Sequence, residues 1–172
     1  GDSTTPGGLA ARKHVQDVSW YAPRASAADN DRIKYALTTY GAVYASMSWQ
    51  GSTSSTSSYY NATTHSYYYD GTAATNHGVL IVGWDDDYPA SSFSTTPPGS
   101  GAFIVRNSGG SGWGASGFFY VSYYDAALGR TGKCATFDGV QGPSNYGAIY
   151  QYDPLGYTAA TGYGGGTSWG AN

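Results

Sequence analysis

The sequence predicts a β-rich α+β domain in which one amphipathic helix packs on an antiparallel sheet. Three observations carry this. Residues 27 to 40 repeat their apolar side chains at helical spacing. Four stretches, near 42 to 48, 78 to 84, 102 to 106 and 117 to 123, alternate or run apolar over the length of a strand. Segments rich in Gly, Ser, Thr and Pro separate them, as turns and loops require.

In order along the chain, Ser26 with Asp29 has the form of a capping box, and Ile33, Ala36, Leu37 and Tyr40 line one helix face until Gly41 stops it. Val43, Ala45 and Met47 then alternate with Tyr44, Ser46 and Ser48, the pattern of a strand with one buried face. A polar loop from about 51 to 75 holds Tyr59, Tyr60, Tyr67, Tyr68 and Tyr69. The third element is the apolar run that starts after His77 and is bounded by Gly83. Asp85, Asp86 and Asp87 follow it; they lack the alternating spacing and glycine of a calcium loop and read as a solvated turn. Pro89, Pro97 and Pro98 mark the next loop, and a short apolar strand then ends at Asn107. The last strand sets Phe119, Val121 and Tyr123 on one face and Phe118, Tyr120 and Ser122 on the other, so either face is suited to burial.

Two residues at these strand ends carry chemistry. A thiolate attacking an amide needs an imidazole that holds its proton and delivers it to the leaving amine, and the imidazole needs a third group to fix its tautomer. If the runs at 78–84 and 102–106 are neighbouring strands, His77 and Asn107 sit at adjacent strand ends and could fill those two roles.

The segments Asn76-His77-Gly78-Val79-Leu80-Ile81-Val82-Gly83-Trp84 and Asn107-Ser108-Gly109-Gly110-Ser111-Gly112-Trp113-Gly114-Ala115-Ser116-Gly117-Phe118 resemble the papain-like cysteine peptidases, specifically their C-terminal, barrel-like half. The resemblance implies an antiparallel barrel-like sheet with one packed helix. It assigns His77 as the general base and acid, Asn107 as its orienter and Trp113 as a shield for the pair. The match departs at Gly109, where the family has a Trp that keeps water from the His and Asn pair. The helix and the Gly-Ala-Val-Tyr strand after it are also similar to that family, so the likeness covers roughly residues 15 to 125.

The family's helical half, with a nucleophilic Cys at a helix start and an oxyanion-hole Gln, has no counterpart here. Cys134, the single cysteine, follows His77 in chain order and reads as a buried free thiol. It makes no internal disulfide. The expected organisation is an N-terminal segment at 1–14, the half-domain at 15–132, and a linker with the start of a lectin-like β segment at 133–172. The last rests on a shorter likeness, from Asn145-Tyr146-Gly147 through Tyr163 to Trp169, to a lectin-like domain that follows the peptidase domain in some microbial members. Both ends read as cut.

With a net charge of -3 and no run of Lys or Arg, nothing suggests a nucleic-acid groove or an anionic-membrane patch, and no apolar stretch approaches the ~20 residues of a membrane span. No signal peptide opens the chain. Charge is scarce, at 11% of residues, and hydroxyls are abundant, which places the protein outside the cell or on its surface. Asn61-Ala62-Thr63 is a glycosylation acceptor pattern. Tyr59, Tyr60 and Tyr67 either wall a substrate cleft, the position that the resemblance implies, or pack over the barrel or a neighbouring subunit. His14 and His65 read as surface residues, and no metal or other cofactor is expected.

The resulting expectation is the His/Asn-bearing half of a secreted papain-like peptidase, inert alone. Its partners would be a Cys-bearing half or upstream segment and a peptide or glycoprotein substrate. The alternative is a non-catalytic, peptidase-derived surface protein used for self-assembly or glycan binding.

Overall fold

The computed structural model describes residues 12–51, 56–131 and 134–145. The chain divides into two compact units, Val15–Val140 and a second made of Gly1–His14 with Gln141–Asn172. Within the second, the described residues form an antiparallel bridge between His14 and Gln141 and a 3-10 turn at Pro143–Asn145. The lectin-like reading lies, from residue 146 on, outside the described residues.

The first unit holds β1 (Asp17–Tyr21), α1 (Asp31–Tyr40), β2 (Val43–Met47), β3 (Tyr60–Asn61), β4 (Ser66–Tyr67), β5 (His77–Asp85), β6 (Ala102–Arg106), β7 (Phe118–Ser122) and β8 (Cys134–Asp138). The strands form one sheet in the order β1-β8-β2-β5-β6-β7-β4-β3. The α+β class therefore holds. The sheet differs from the expected antiparallel barrel in two ways: it stays open, and β4 joins β7 in parallel. β3 and β4 contribute two residues each, too short a ladder to carry the sheet round to β1.

Helix α1 begins at Asp31, four residues later than the sequence predicts. Ser26 and Asp29 do not cap it. The Ser26 hydroxyl accepts the Ala28 N–H at 3.3 Å and the Asp29 carboxylate accepts the Ala25 N–H at 2.8 Å, so both are spent on the preceding turn. Ile33 and Ala36 are buried against the sheet, and the Gly41 N–H closes the helix on the Leu37 carbonyl.

The helix packs on β5, β8 and β2. On that face Val43, Ala45 and Met47 of β2 meet Val79 and Ile81 of β5 and Phe103 and Val105 of β6, all buried. Between Ile81 and Gly83 the β5–β6 register shifts by one residue, a bulge that leaves Val82 as the extra residue. The opposite face is uncovered in places: Val18, Trp20, Leu80, Val82 and Phe137 are 36% to 61% exposed. β8 lies past residue 132, so the unit extends beyond the boundary read from the sequence. Its pairing with both β1 and β2 is what includes it.

Two buried polar side chains hold the segment from Tyr123 to Leu128, and Arg24 ties it to the start of the unit. The Arg24 guanidinium donates to the carbonyls of Tyr123 at 2.8 Å and Leu128 at 3.2 Å. Asp125, fully buried, accepts the N–H groups of Tyr69, Ala127 and Leu128 at 3.0, 2.9 and 2.8 Å. Loss of hydration outweighs these donors and pushes its carboxyl up to about 6.

Candidate active site

The β5–β6 ladder pairs Leu80 with Arg106. One further step sets Asn107 opposite Val79 and on the same face, so His77 lies two residues along that face, within diagonal reach. On its other side His77 pairs with Met47 of β2. The consequence is a hydrogen bond of 2.9 Å between His77 Nε2 and Asn107 Oδ1, both residues half-buried.

The tautomer follows from the partners. The Ser108 N–H donates to the same Asn107 atom at 2.8 Å, as it does only to an oxygen. That oxygen accepts, so His77 Nε2 carries the proton and donates it. In the neutral ring Nδ1 is then left with its lone pair, the form needed to take a proton from a thiol. The Asn107 backbone is fixed from the other side, where its N–H donates to the Gly117 carbonyl at 3.0 Å.

The loop from Asn107 to Phe118 is held by backbone contacts that glycine permits. Gly114 has φ +57, and a Cβ there would stand 2.5 Å from the Phe118 carbonyl oxygen. Gly117 has φ +91 and a carbonyl 3.0 Å from where its Cβ would be. Gly109 is different: its Cβ would meet Trp113 at an ordinary 3.4 Å, so a Cβ is sterically admissible there.

Trp113 is half-buried and built into an aromatic cluster. It stacks on Tyr60 at 5.3 Å and meets Phe119 and Trp49 edge-on at 5.1 and 6.1 Å. Tyr59 and Tyr60 are half-buried, and the Tyr60 hydroxyl pairs with His65 Nδ1 at 3.1 Å. His65 is thus a packed, bonded residue rather than a plain surface one. Tyr67 is 0% exposed, so it is no cleft wall. Its hydroxyl accepts the Gln50 N–H at 3.0 Å and donates to the Ser48 carbonyl at 2.8 Å, work inside the core.

The Asn61 carboxamide is also engaged. It donates to the Ser92 carbonyl at 3.0 Å and accepts the Thr63 N–H at 3.0 Å. A glycan on this nitrogen would have to be accommodated against the Ser92 contact. Cys134 is buried in β8, and burial raises its thiol above the ordinary range. A buried, protonated thiol is a poor nucleophile. Asp86 of the acidic turn binds Lys34 and the Tyr123 hydroxyl, which hold its carboxyl below the usual range. Among the described residues no group of three His, Cys, Asp or Glu is placed to hold a metal.

Beside the pair a cavity of about 170 Å³ is lined by Tyr44, Gly78, Val79, Leu80, Arg106, Asn107 and Ser108. The Arg106 guanidinium lies 4.7 Å over the Phe118 ring and has no carboxylate partner among the described residues. Sequence reasoning missed the part played by Trp49 and by the Asn76 side chain, whose carboxamide bonds the Trp49 backbone in both directions. The only local signal was the position of Asn76 next to His77.

Comparison with known proteins gives both a family and similar solved structures. The family model described as papain family cysteine protease matches residues 9–137. Among solved structures, the chain is similar to the cysteine protease and lectin-like domains of Cwp84, a surface layer associated protein of Clostridium difficile. That match has a TM-score of 0.66 and 29% identity, and it covers 80% of this chain and 28% of the other. A second structure, clostridial Cwp84 after propeptide cleavage, matches with a TM-score of 0.65 and 29% identity over 80% of this chain and 32% of the other. The chain thus spans about a third or less of the length of these two structures. No curated protein sequence matches it.

Proposed function

Because the chain belongs to the papain family of cysteine proteases, we propose that it is the His/Asn-bearing half of a secreted or surface-located cysteine peptidase, completed by a Cys-bearing segment outside this sequence. The observation that carries this reading is the 2.9 Å bond from His77 Nε2 to Asn107 Oδ1, which leaves Nδ1 to serve the thiol. In that reaction His77 takes the thiol proton as sulfur attacks the peptide carbonyl. It then returns the proton to the departing amine, and water releases the acyl group by the same route in reverse. Asn107 holds the ring and its tautomer throughout. Trp113 stands in for the missing indole at position 109 as the barrier to water. Tyr59 and Tyr60, with peptide or glycoprotein substrate, complete the cleft.

Neither His77 nor Asn107 supplies a covalent nucleophile, and Cys134 is too well buried to do so, so this chain alone is inert. The exposed Leu80 and Val82, with Arg106 at the cavity and no carboxylate partner for it among the described residues, support a contact surface for the Cys-bearing half. The description of Cwp84 as surface layer associated supports the location.

Gly109 favours a second reading, a peptidase-derived scaffold that assembles at the surface without catalysis. The test is labelling of native material with a thiol-directed covalent peptidase probe, followed by identification of each labelled polypeptide. Labelling of a Cys-bearing partner that is lost in His77→Ala supports the peptidase. No labelling in well-folded material favours the scaffold.

A further inference from the structure

We propose that Asn76 is a positioning residue for His77, acting through its side chain as an added rung of the sheet. The idea rests on the reading of His77 as the acid/base group, but it concerns how that group is held. The β2–β5 ladder ends where Met47 faces His77. Past that point the two strands are joined by Asn76. Its N–H donates to the Met47 carbonyl at 3.0 Å, its Oδ1 accepts the Trp49 N–H at 2.8 Å, and its Nδ2 donates to the Trp49 carbonyl at 2.9 Å.

A carboxamide carries the same donor and acceptor as a peptide unit. Asn76 therefore closes a two-bond ring with Trp49 such as paired strand residues make, one residue beyond the end of the backbone ladder. A strand end frays unless something ties it. Here the tie falls on the residue before the imidazole, and it fixes where the His77 side chain starts relative to β6 and Asn107.

The same rung holds Trp49, whose ring stacks on Tyr67 at 4.6 Å and meets Trp113 edge-on at 6.1 Å. Trp113 in turn lies under Gly109. One side chain thus links the base's strand end to the aromatic packing beneath the Asn107 loop. The chemistry is selective: an ionised Asp keeps the acceptor but turns a negative oxygen toward the Trp49 carbonyl, and Ala offers neither group.

The experiment uses the folded chain with 15N-labelled histidine and follows the His77 Nε2 proton by NMR at neutral pH and low temperature. This proton is visible only while the bond to Asn107 protects it from exchange with water. The unaltered chain is expected to show it. Asn76→Ala and Asn76→Asp are expected to lose it while the backbone amide spectrum stays dispersed and the His65 ring nitrogen signals stay put. Retention of the Nε2 proton in both folded variants would overturn the proposal and leave Asn76 a surface tie. If Asn76→Ala unfolds, Asn76→Asp, nearly identical in shape, decides alone. No nucleophile takes part in this measurement. Failure of the thiol-probe labelling with loss of the Nε2 proton would therefore sink the peptidase reading and keep the positioning role.

Discussion

Replacing Tyr67 by Phe separates two accounts of this residue. As a cleft wall, Tyr67 would contribute to substrate contact and little to stability. As a core residue, its hydroxyl is the shared partner of the Gln50 N–H at 3.0 Å and the Ser48 carbonyl at 2.8 Å. The ring itself is 0% exposed and stacks on Trp49 at 4.6 Å, so Phe keeps the packing and opens no large cavity. What disappears is one oxygen with two bonds. Each bond contributes about 1 kcal/mol net, and leaving a buried partner unsatisfied costs about 1–3 kcal/mol. Ser48 is fully buried, so its carbonyl has no ready water in exchange. The expected loss is about 2–3 kcal/mol, or roughly 5–10 °C in Tm for a domain of this size. Urea unfolding followed by fluorescence should show a lower midpoint at unchanged slope. A loss under about 0.5 kcal/mol would refute the reasoning and return Tyr67 to the surface.

Further outcomes follow from other contacts. Asp125 has its carboxyl raised from 3.8 to about 6, so the folded chain binds this proton more tightly than the unfolded chain. Its contribution is fully present below the unfolded value and is lost as pH rises through about 6, a change of about 3 kcal/mol. Unfolding of Asp125→Asn from pH 4 to 7 should show a shallower fall, and an unchanged profile would mean that the three N–H donors win over burial. Gly114→Ala sets a Cβ 2.5 Å from the Phe118 carbonyl at φ +57, and should cost about 3 kcal/mol in thermal unfolding. At Gly109 an added Cβ meets only ordinary contacts, and the residue is exposed, so Gly109→Trp should fold within about 0.5 kcal/mol of the parent. By restoring the family's indole, it should slow hydrogen exchange at the His77 Nε2; faster exchange would count against a shielding role.

The parts of the fold legible in the sequence are those with a local cause. The pattern of β2 shows because Val43, Ala45 and Met47 alternate with less buried neighbours, and the body of α1 shows because Ile33 and Ala36 recur at helical spacing. The helix start was misplaced because the Ser26 and Asp29 side chains suit a turn as well as a cap. β1 and β8 were missed for another reason. β1 buries none of its residues fully, and β8 belongs to the sheet through partners far away in sequence, such as Val18 opposite Phe137. No local pattern encodes such pairing. The site splits along the same line: His77 and Asn107 stand in ordered motifs, whereas the bonds of Tyr67, Asn76 and Trp49 arise only when β4, β5 and the end of β2 converge.

The strand order carries a consequence for how the domain is made. Among the described strands β1 is the first to be synthesised, yet its neighbour in the sheet is β8, the last of them. It cannot pair until more than a hundred further residues have been synthesised, at ~5–20 residues per second. For those several seconds the pairing edges of β1 and β2 that β8 will occupy stay open, a window in which a chaperone or a second nascent chain competes with native closure. A chain stopped at residue 132 would never leave that window.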